Sequence, residues 1–278
     1  MTYTTTFDLD RIFREADHAV LLLVEAISRR SIDKALIPLQ TTLEQKIAVI
    51  FKRQGLAVLK KLGTMRSYFS ESAASDFDDL FDDATLDTST DMIDILQSSI
   101  EAAVLKGGKA LIRDFKASVN FSLTNPRAIA YTQNYAATAI TGIDSTTKDD
   151  IRRIVLAGIS DGASYSEVAS NIKARYTQYA VGVPQRHIRS RAELIAVTEI
   201  GNAYQAGNLA GARVMSDSGL KMQKYWLTSG DDRVSQGCKD NQTDGWIDLN
   251  AAHSSGDQTP LRFPGCRCVE QYRRKGSK

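Results

Sequence analysis

The sequence predicts an α+β protein, with a mostly helical N-terminal domain of long amphipathic helices and a smaller C-terminal domain of helices packed on a short antiparallel sheet. Three observations predict it. Up to about residue 140, apolar residues recur at steps of three and four, the spacing of one helix face. After Gly219 this gives way to β-branched and aromatic runs that stop at Ser229-Gly230-Asp231-Asp232 and Asp244-Gly245, as strands stop at turns. The 278 residues are 42% hydrophobic and 24% charged, ordinary for a folded chain long enough to form two domains. Gly142-Ile143-Asp144-Ser145 is the best boundary, giving domains 1–145 and 146–278.

In order along the chain, Leu9, Ile12, Phe13, Ala16, Val20 and Ile27 predict a helix from Phe7 to Arg30, with His18 beside the stripe and Arg29-Arg30 suiting the dipole at its end. Pro38 fits the first turn of a second helix, which runs to about Gly63 past an interruption at Gly55. Ser67 to Leu105 contains no Lys or Arg and collects acids from Glu71 to Glu101, so it reads as an acidic connection. Asp76 to Asp87 fails as a calcium loop: its sixth residue is Phe81 where glycine is needed, and the closing glutamate is missing.

Thr90 or Asp91 caps a third helix that reaches Phe115 and is weakened at Gly107-Gly108. Gly107-Gly108-Lys109 lacks the rest of a phosphate loop. Asn125-Pro126 is an N-cap and first-turn pair for a helix to about Ile140.

The second domain opens with Thr146 or Thr147 capping a helix to Gly158, a turn at Ser160 to Ala163, and Ser164-Tyr165-Ser166-Glu167, which has capping-box spacing for a helix to Tyr176. The pair resembles a helix-turn-helix with Arg152, Arg153, Lys173 and Arg175 nearby, although such pairs more often serve packing. A long helix follows from Arg191. Its stripe of Ala196, Ile200, Ala203, Gly207, Ala210 and Val214 is mostly small, which lets another backbone approach, and it leaves Glu193, Glu199, Asn202 and Gln205 off that face. Lys224 to Thr228, Trp246 to Leu249 and Cys266 to Tyr272 then read as three strands.

The net charge of +2 is too small for bulk capture of nucleic acid or of an anionic membrane. No apolar run is long enough to span a bilayer, and Met1 to Asp10 has no signal-peptide pattern, so no membrane role is expected. Three cysteines clustered near one end fit reduced thiols in a cytosol better than a disulfide framework.

The segments AELIAVTEIGNAYQAGNLAGAR, KYWLTSGDDRVSQGC and PGCRC, in that order, resemble the C-terminal domain of the phage Mu protein F-like family of minor head proteins. The resemblance covers roughly the last hundred to hundred and thirty residues. It implies a low-copy head protein acting in head assembly and in genome packaging or delivery. The implied partners are the portal protein and the major capsid protein, and the implied location is the head interior or portal vertex, after assembly in the host cytoplasm. Two departures stand out. Val197-Thr198-Glu199 replaces the family's frequent Arg-Thr-Glu, and Ser235 and Phe263 stand where it often has a cysteine and a histidine.

The chemistry-bearing candidates gather in the same segment. Cys238, Cys266 and Cys268 belong to one site, because the latter two sit two apart on an expected strand and share a face. A tetrahedral zinc would need a fourth ligand, with His253, Asp240 or Asp231 of the right chemistry. The commoner reading has no cofactor, with packed thiols and a buried Phe263 filling the place. Arg267, Arg273, Arg274 and Lys275 form a basic tail that could touch DNA phosphates without reading sequence. Asp231 and Arg233 beside Trp226 suggest a substrate clamp, yet a locked turn is more frequent, and no nucleophile, base and orienter fall together. Binding, not turnover, is therefore expected, with a nucleic-acid module or an enzyme using the C-terminal cluster as the alternatives.

Overall fold

The computed structural model describes residues 9–64, 77–181 and 188–276, with side chains from Arg29 onward except those of Asn134, Ala136, Ala137 and Ile140. The expected helix start at Phe7 and the side chains of the Leu9 to Ile27 stripe, His18 included, lie outside the described residues. The architecture is the expected α+β one, with long helices first and a small antiparallel sheet last.

Helix α1 spans Leu9–Thr64 as one element of 56 residues, which corrects the expected break before Pro38. The proline removes one intrahelical bond, the one its N–H would give to the Lys34 carbonyl, and the rest of the helix outweighs that loss. The apolar face also runs on without a phase change through Leu36, Leu43, Ile47, Ile50, Val58 and Leu62, all buried. Gly55 does not interrupt it either. A Cβ there would lie 2.7 Å from the Tyr176 ring, so the missing side chain admits a neighbouring helix.

Helix α2, Phe77–Asp114, corrects the acidic connection from residue 77 onward, and residues 67–76 of that stretch lie outside the described residues. Phe77, Leu80, Phe81, Thr85, Thr88, Met92 and Leu96 keep a buried stripe at helical spacing, and Thr85 and Thr88 satisfy their hydroxyls on the carbonyls of Phe81 and Thr85 at 2.8 Å each. The acids occupy its outer flanks. Pairs Arg53–Asp91 and Lys61–Asp83 run in opposite sequence directions, which sets α1 and α2 antiparallel. On the other flank Lys148 and Arg152 reach Asp82 and Asp78 at 2.9 and 3.2 Å.

Helix α3 spans Pro126–Ser160 and starts as expected, with Asn125 Oδ1 accepting the Arg127 N–H at 2.9 Å. It does not stop near Ile140 and passes unbroken through Gly142 to Ser145, so the 1–145 and 146–278 division is not a break in secondary structure. Asp161 caps it and Gly162 turns at φ 64°. Helix α4, Tyr165–Val181, opens with the expected capping box: the Ser164 N–H donates to Glu167 Oε2 at 2.7 Å and the Glu167 N–H to Ser164 Oγ at 3.3 Å. Its Val168, Ile172, Tyr176 and Tyr179 are buried in the same core as α1.

Helix α5, Arg191–Asp217, crosses α2 with backbones in contact. A Cβ at Gly207 would stand 2.1 Å from the Val104 carbonyl oxygen, and one at Gly107 would stand 2.3 Å from that of Tyr204. The predicted small stripe is therefore a helix crossing, and Gly107-Gly108 is its counterpart on α2. The apolar residues of all five helices form one continuous core.

After Gly219, strand β1, Met222–Leu227, pairs antiparallel with β2, Ile247–Asp248, on one side and β3, Val269–Arg274, on the other, in the order β2-β1-β3. Helix α6, Gln236–Thr243, lies between β1 and β2 in sequence and is capped by Ser235 Oγ. The third strand begins at Val269, later than expected, because Val269 pairs with Leu227, the last residue of β1. Cys266 and Cys268 have no strand to pair with.

Candidate functional site

The C-terminal sheet and its loops are held to the helical body by the polar side of α5. Thr198, Asn202 and Gln205 are spaced four and three apart, so they share one face, opposite the glycine crossing. Each accepts a backbone N–H: Thr198 Oγ1 from Gly265 at 3.0 Å, Asn202 Oδ1 from Leu261 at 3.2 Å and Gln205 Oε1 from Glu270 at 3.3 Å. Sequence reasoning left Asn202 and Gln205 off the packing face as polar residues. The pattern that identifies them is their own period, since polar residues repeating at helical spacing mark a face as surely as apolar ones do.

Beside this clamp, Glu199 is buried against α3. The Asn202 amide donates to the Tyr135 hydroxyl at 2.6 Å, Tyr135 stacks on Tyr131 at 4.9 Å, and neither Glu199 Oε2 nor the Tyr131 hydroxyl has a hydrogen-bond partner. Burial raises the Glu199 carboxyl to about 7 against the opposing hydrogen bond with Tyr135.

A second, separate core sits under the loops. Trp226, fully buried, packs with Cys238, Cys266 and Cys268, flanked by Val234 and Leu261. The three sulfurs all lie within 4.8 Å of one another, and those of Cys238 and Cys266 are 3.9 Å apart. The expected convergence of the cysteines is thus observed, built from α6 and the extended stretch before β3. The Cys268 thiol, with backbone N–H groups of Cys268 and Arg262, holds the Cys266 thiol below the usual range, while burial pushes Cys238 up.

The expected filling by a buried Phe263 is corrected, since that ring is 40% exposed. It lies instead on the wall of a cavity of about 20 Å³ that Ser229, Ser235 and the three cysteines share. The Phe263-Pro264-Gly265 turn explains this: Gly265 at φ 80° brings the Cys266 N–H back to the Phe263 carbonyl at 3.0 Å, turning Cys266 inward and the ring out.

The three proposed fourth ligands lie elsewhere. His253 is buried behind Trp226, edge-on to it at 5.1 Å, with Nε2 on Glu270 Oε1 at 2.8 Å. Glu270 also accepts the Tyr272 hydroxyl at 3.1 Å and faces Lys224, itself fully buried, at 4.0 Å, so these groups form an internal polar network under the sheet. Asp240 accepts the Gln236 amide at 2.8 Å. Asp231 is tied to Arg233 at 2.7 Å and to Arg267, and the Arg233 hydrogen bond leads in holding its carboxyl well below the usual range. Asp231 thus locks the Ser229 to Arg233 turn, with its Oδ1 accepting the Arg233 N–H at 3.1 Å. Three thiols fit a soft divalent ion at three of its four positions, and the small cavity beside them has room for about one water at the fourth.

The basic tail does not form one patch. Arg267 sits with Asp231 at the cysteine end of β3. Arg273 lies near the opposite end, over the Trp246 ring at 4.6 Å and hydrogen-bonded to Gln223 at 3.1 Å, and Lys275 pairs with Asp248 at 2.8 Å. Arg274, between them, pairs with Met222 in the ladder. The arginines of the α3–α4 pair are likewise engaged within the chain. Arg175 holds Asp150 at 2.6 Å, Arg153 holds the same carboxylate and Arg152 reaches Asp78.

No curated protein and no solved structure matches the chain. One family model does, described as Phage Mu protein F like protein, and it matches residues 149–271, from the last turns of α3 through α4, α5 and the cysteine core into β3. That span contains the glycine crossing face of α5, its polar clamp and all three cysteines, so the C-terminal part of this chain is a phage Mu protein F-like domain, from a family of phage head morphogenesis proteins.

Proposed function

We propose that the chain is a minor head protein of a tailed bacteriophage, built at low copy into the head at the portal vertex and acting in head assembly and in genome packaging or delivery. The observation that carries this is the phage Mu protein F-like match over residues 149–271. Its mechanism is binding. Long helices with charged flanks offer docking surface to the portal and major capsid proteins, and the C-terminal sheet and its loops are clamped on α5. If zinc is held, Cys238, Cys266 and Cys268 are its ligands, and it ties α6 to the stretch before β3 as a structural cross-link.

The experiment is mass spectrometry of purified procapsids and virions with cross-linking. The expected result is a low-copy chain cross-linked to portal protein. Absence from both particles, or a deletion that leaves head yield and infectivity untouched, overturns the proposal. Non-specific contact with genomic DNA through Arg267, Arg273, Arg274 and Lys275 is a secondary part of it, tested by a binding constant that falls steeply with salt.

A further inference from the structure

A groove of about 850 Å³ runs between α2 and β3, closed below by α1 and α5. Its floor is apolar, with Ile32, Ala35, Ala110, Leu111 and Phe115. Four successive β3 residues, Glu270 to Arg273, line it. Successive strand side chains point to opposite faces, so a groove lined by four in a row follows the edge of the strand and not a face of the sheet. β3 is an edge strand, paired only with β1.

The direction of the open backbone groups follows from the ladder. Just past the end of β3, the Lys275 N–H donates to the carbonyl of Lys221, the residue before β1 and so on the β1 side, whereas the Glu270 N–H donates away from β1, to Gln205 on α5. With a period of two, Tyr272 points its N–H and C=O away from β1 as Glu270 does, and among the described residues neither finds a hydrogen-bond partner.

The rim supplies charge. Lys106, Lys109 and Arg113 are three and four apart on α2 and line one wall. Arg113 pairs with its neighbour Asp114 at 3.0 Å, but Lys106 and Lys109 are exposed and no ion pair reaches them among the described residues. Of the carboxylates in the groove, Glu270 is turned inward onto His253 and Tyr272. An occupant therefore meets an open strand edge, an apolar floor and an unneutralised lysine pair.

We propose that this groove binds an extended segment of a partner protein, alternating apolar and acidic residues, which adds to the free edge of β3. Alternation lets one set of side chains lie on the apolar floor while the other faces Lys106 and Lys109, and the Tyr272 backbone groups fix the register. Nucleic acid fits less well. A strand edge is of no use to it, and the Trp246 ring is already covered by Arg273 and packed at a tilt on Tyr225.

The groove is a surface that the head-protein reading leaves unassigned, and binding to it is tested on the purified full chain alone. A fluorescent, end-capped decapeptide of alternating valine and glutamate is titrated by anisotropy. Beside it run the same peptide with alternate amides N-methylated, a valine–lysine version, and decathymidylate. The expected result is binding by the valine–glutamate peptide, about tenfold or more weaker on N-methylation, with lysine, or in Lys106→Glu/Lys109→Glu protein of unchanged melting temperature. No binding, or binding indifferent to N-methylation or to the charge reversal, overturns the proposal. Stronger capture of decathymidylate overturns it in favour of nucleic acid.

Discussion

The helical body and the C-terminal module share one helix and are stabilised in opposite ways. On one side of α5, Gly207 and Gly211 press into α2 so closely that carbonyl oxygens take the space of side chains, and burial of a single apolar core does the rest. On its other side, Thr198, Asn202 and Gln205 hold the module by single directed hydrogen bonds, and the module's own core is one tryptophan and three thiols. A large core spreads any loss over many contacts. A small one depends on a few named groups, so damage there should be local and should leave the helices standing.

The largest effect should come from the crossing. Gly207→Leu would drive a side chain into the Val104 carbonyl, which neither backbone can yield without parting α2 from α5. Overpacking a core costs about 1–3 kcal/mol where side chains give way, and backbone cannot, so loss of the cooperative far-UV transition is expected. A variant melting within a few degrees of the parent would refute the close crossing.

Next is the thiol core, where the contrast predicts a local failure. If zinc occupies the three sulfurs, purified protein carries about one equivalent, and chelator or Cys266→Ser should shift Trp226 fluorescence while helical circular dichroism is retained. Metal-free protein that ignores chelator would leave packed thiols as the whole story. Chelator that melts the helices too would show that body and module are not separable.

A smaller, pH-dependent effect sits at the joint between the two regions. Burial raises the folded-state carboxyl of Glu199 to about 7 from an ordinary 4.5. An acid raised on folding contributes stability that is fully present below the unfolded value and is lost as pH rises through the folded one, so stability should fall between about pH 4.5 and 7 and level off above. The shift corresponds to roughly 3 kcal/mol at most. Glu199→Gln keeps the hydrogen bond to Tyr135 and removes the titration. Denaturant melts at pH 5 and pH 8 should therefore differ less in the variant than in the parent, and an equal difference would mean that the carboxyl is not buried as described.

Legibility follows the same division. Long helices, caps and the small stripe of α5 were readable because each rests on a short local pattern, such as Asn125-Pro126 or Ser164 to Glu167. Continuity was not. Pro38 and Gly142 to Ser145 look like breaks, but tertiary packing overrides a weak local preference when the apolar period runs on in phase. The acidic run hid α2 because charge count drew attention from Phe81, Thr88 and Met92 beneath it. In the module, the cysteines announced themselves by clustering. Phe263 was misplaced because its direction depends on the Gly265 turn, which spacing does not encode. The polar clamp was missed because Asn202 and Gln205 find their partners about sixty residues away on the backbone, where side-chain pattern is silent.

The smallest effect tests the outside of the body. Asp78, Asp82 and Asp83 on α2 face Arg152, Lys148 and Lys61, which come from helices on both flanks. These pairs look like ties between helices, yet Asp82 and Asp83 are well exposed and Asp78 is half-buried. Exposed pairs contribute about 0–1 kcal/mol each, and salt screens them further. What they do supply is relief for a helix whose like charges recur at short spacing, and that relief is also available from dissolved ions. Lys61→Ala/Lys148→Ala should therefore lower the melting temperature by a few degrees in low salt and by almost nothing in half-molar salt. A large loss that persists in high salt would mean that the acidic flank is a structural seam, and that the body depends on directed polar contacts as much as the module does.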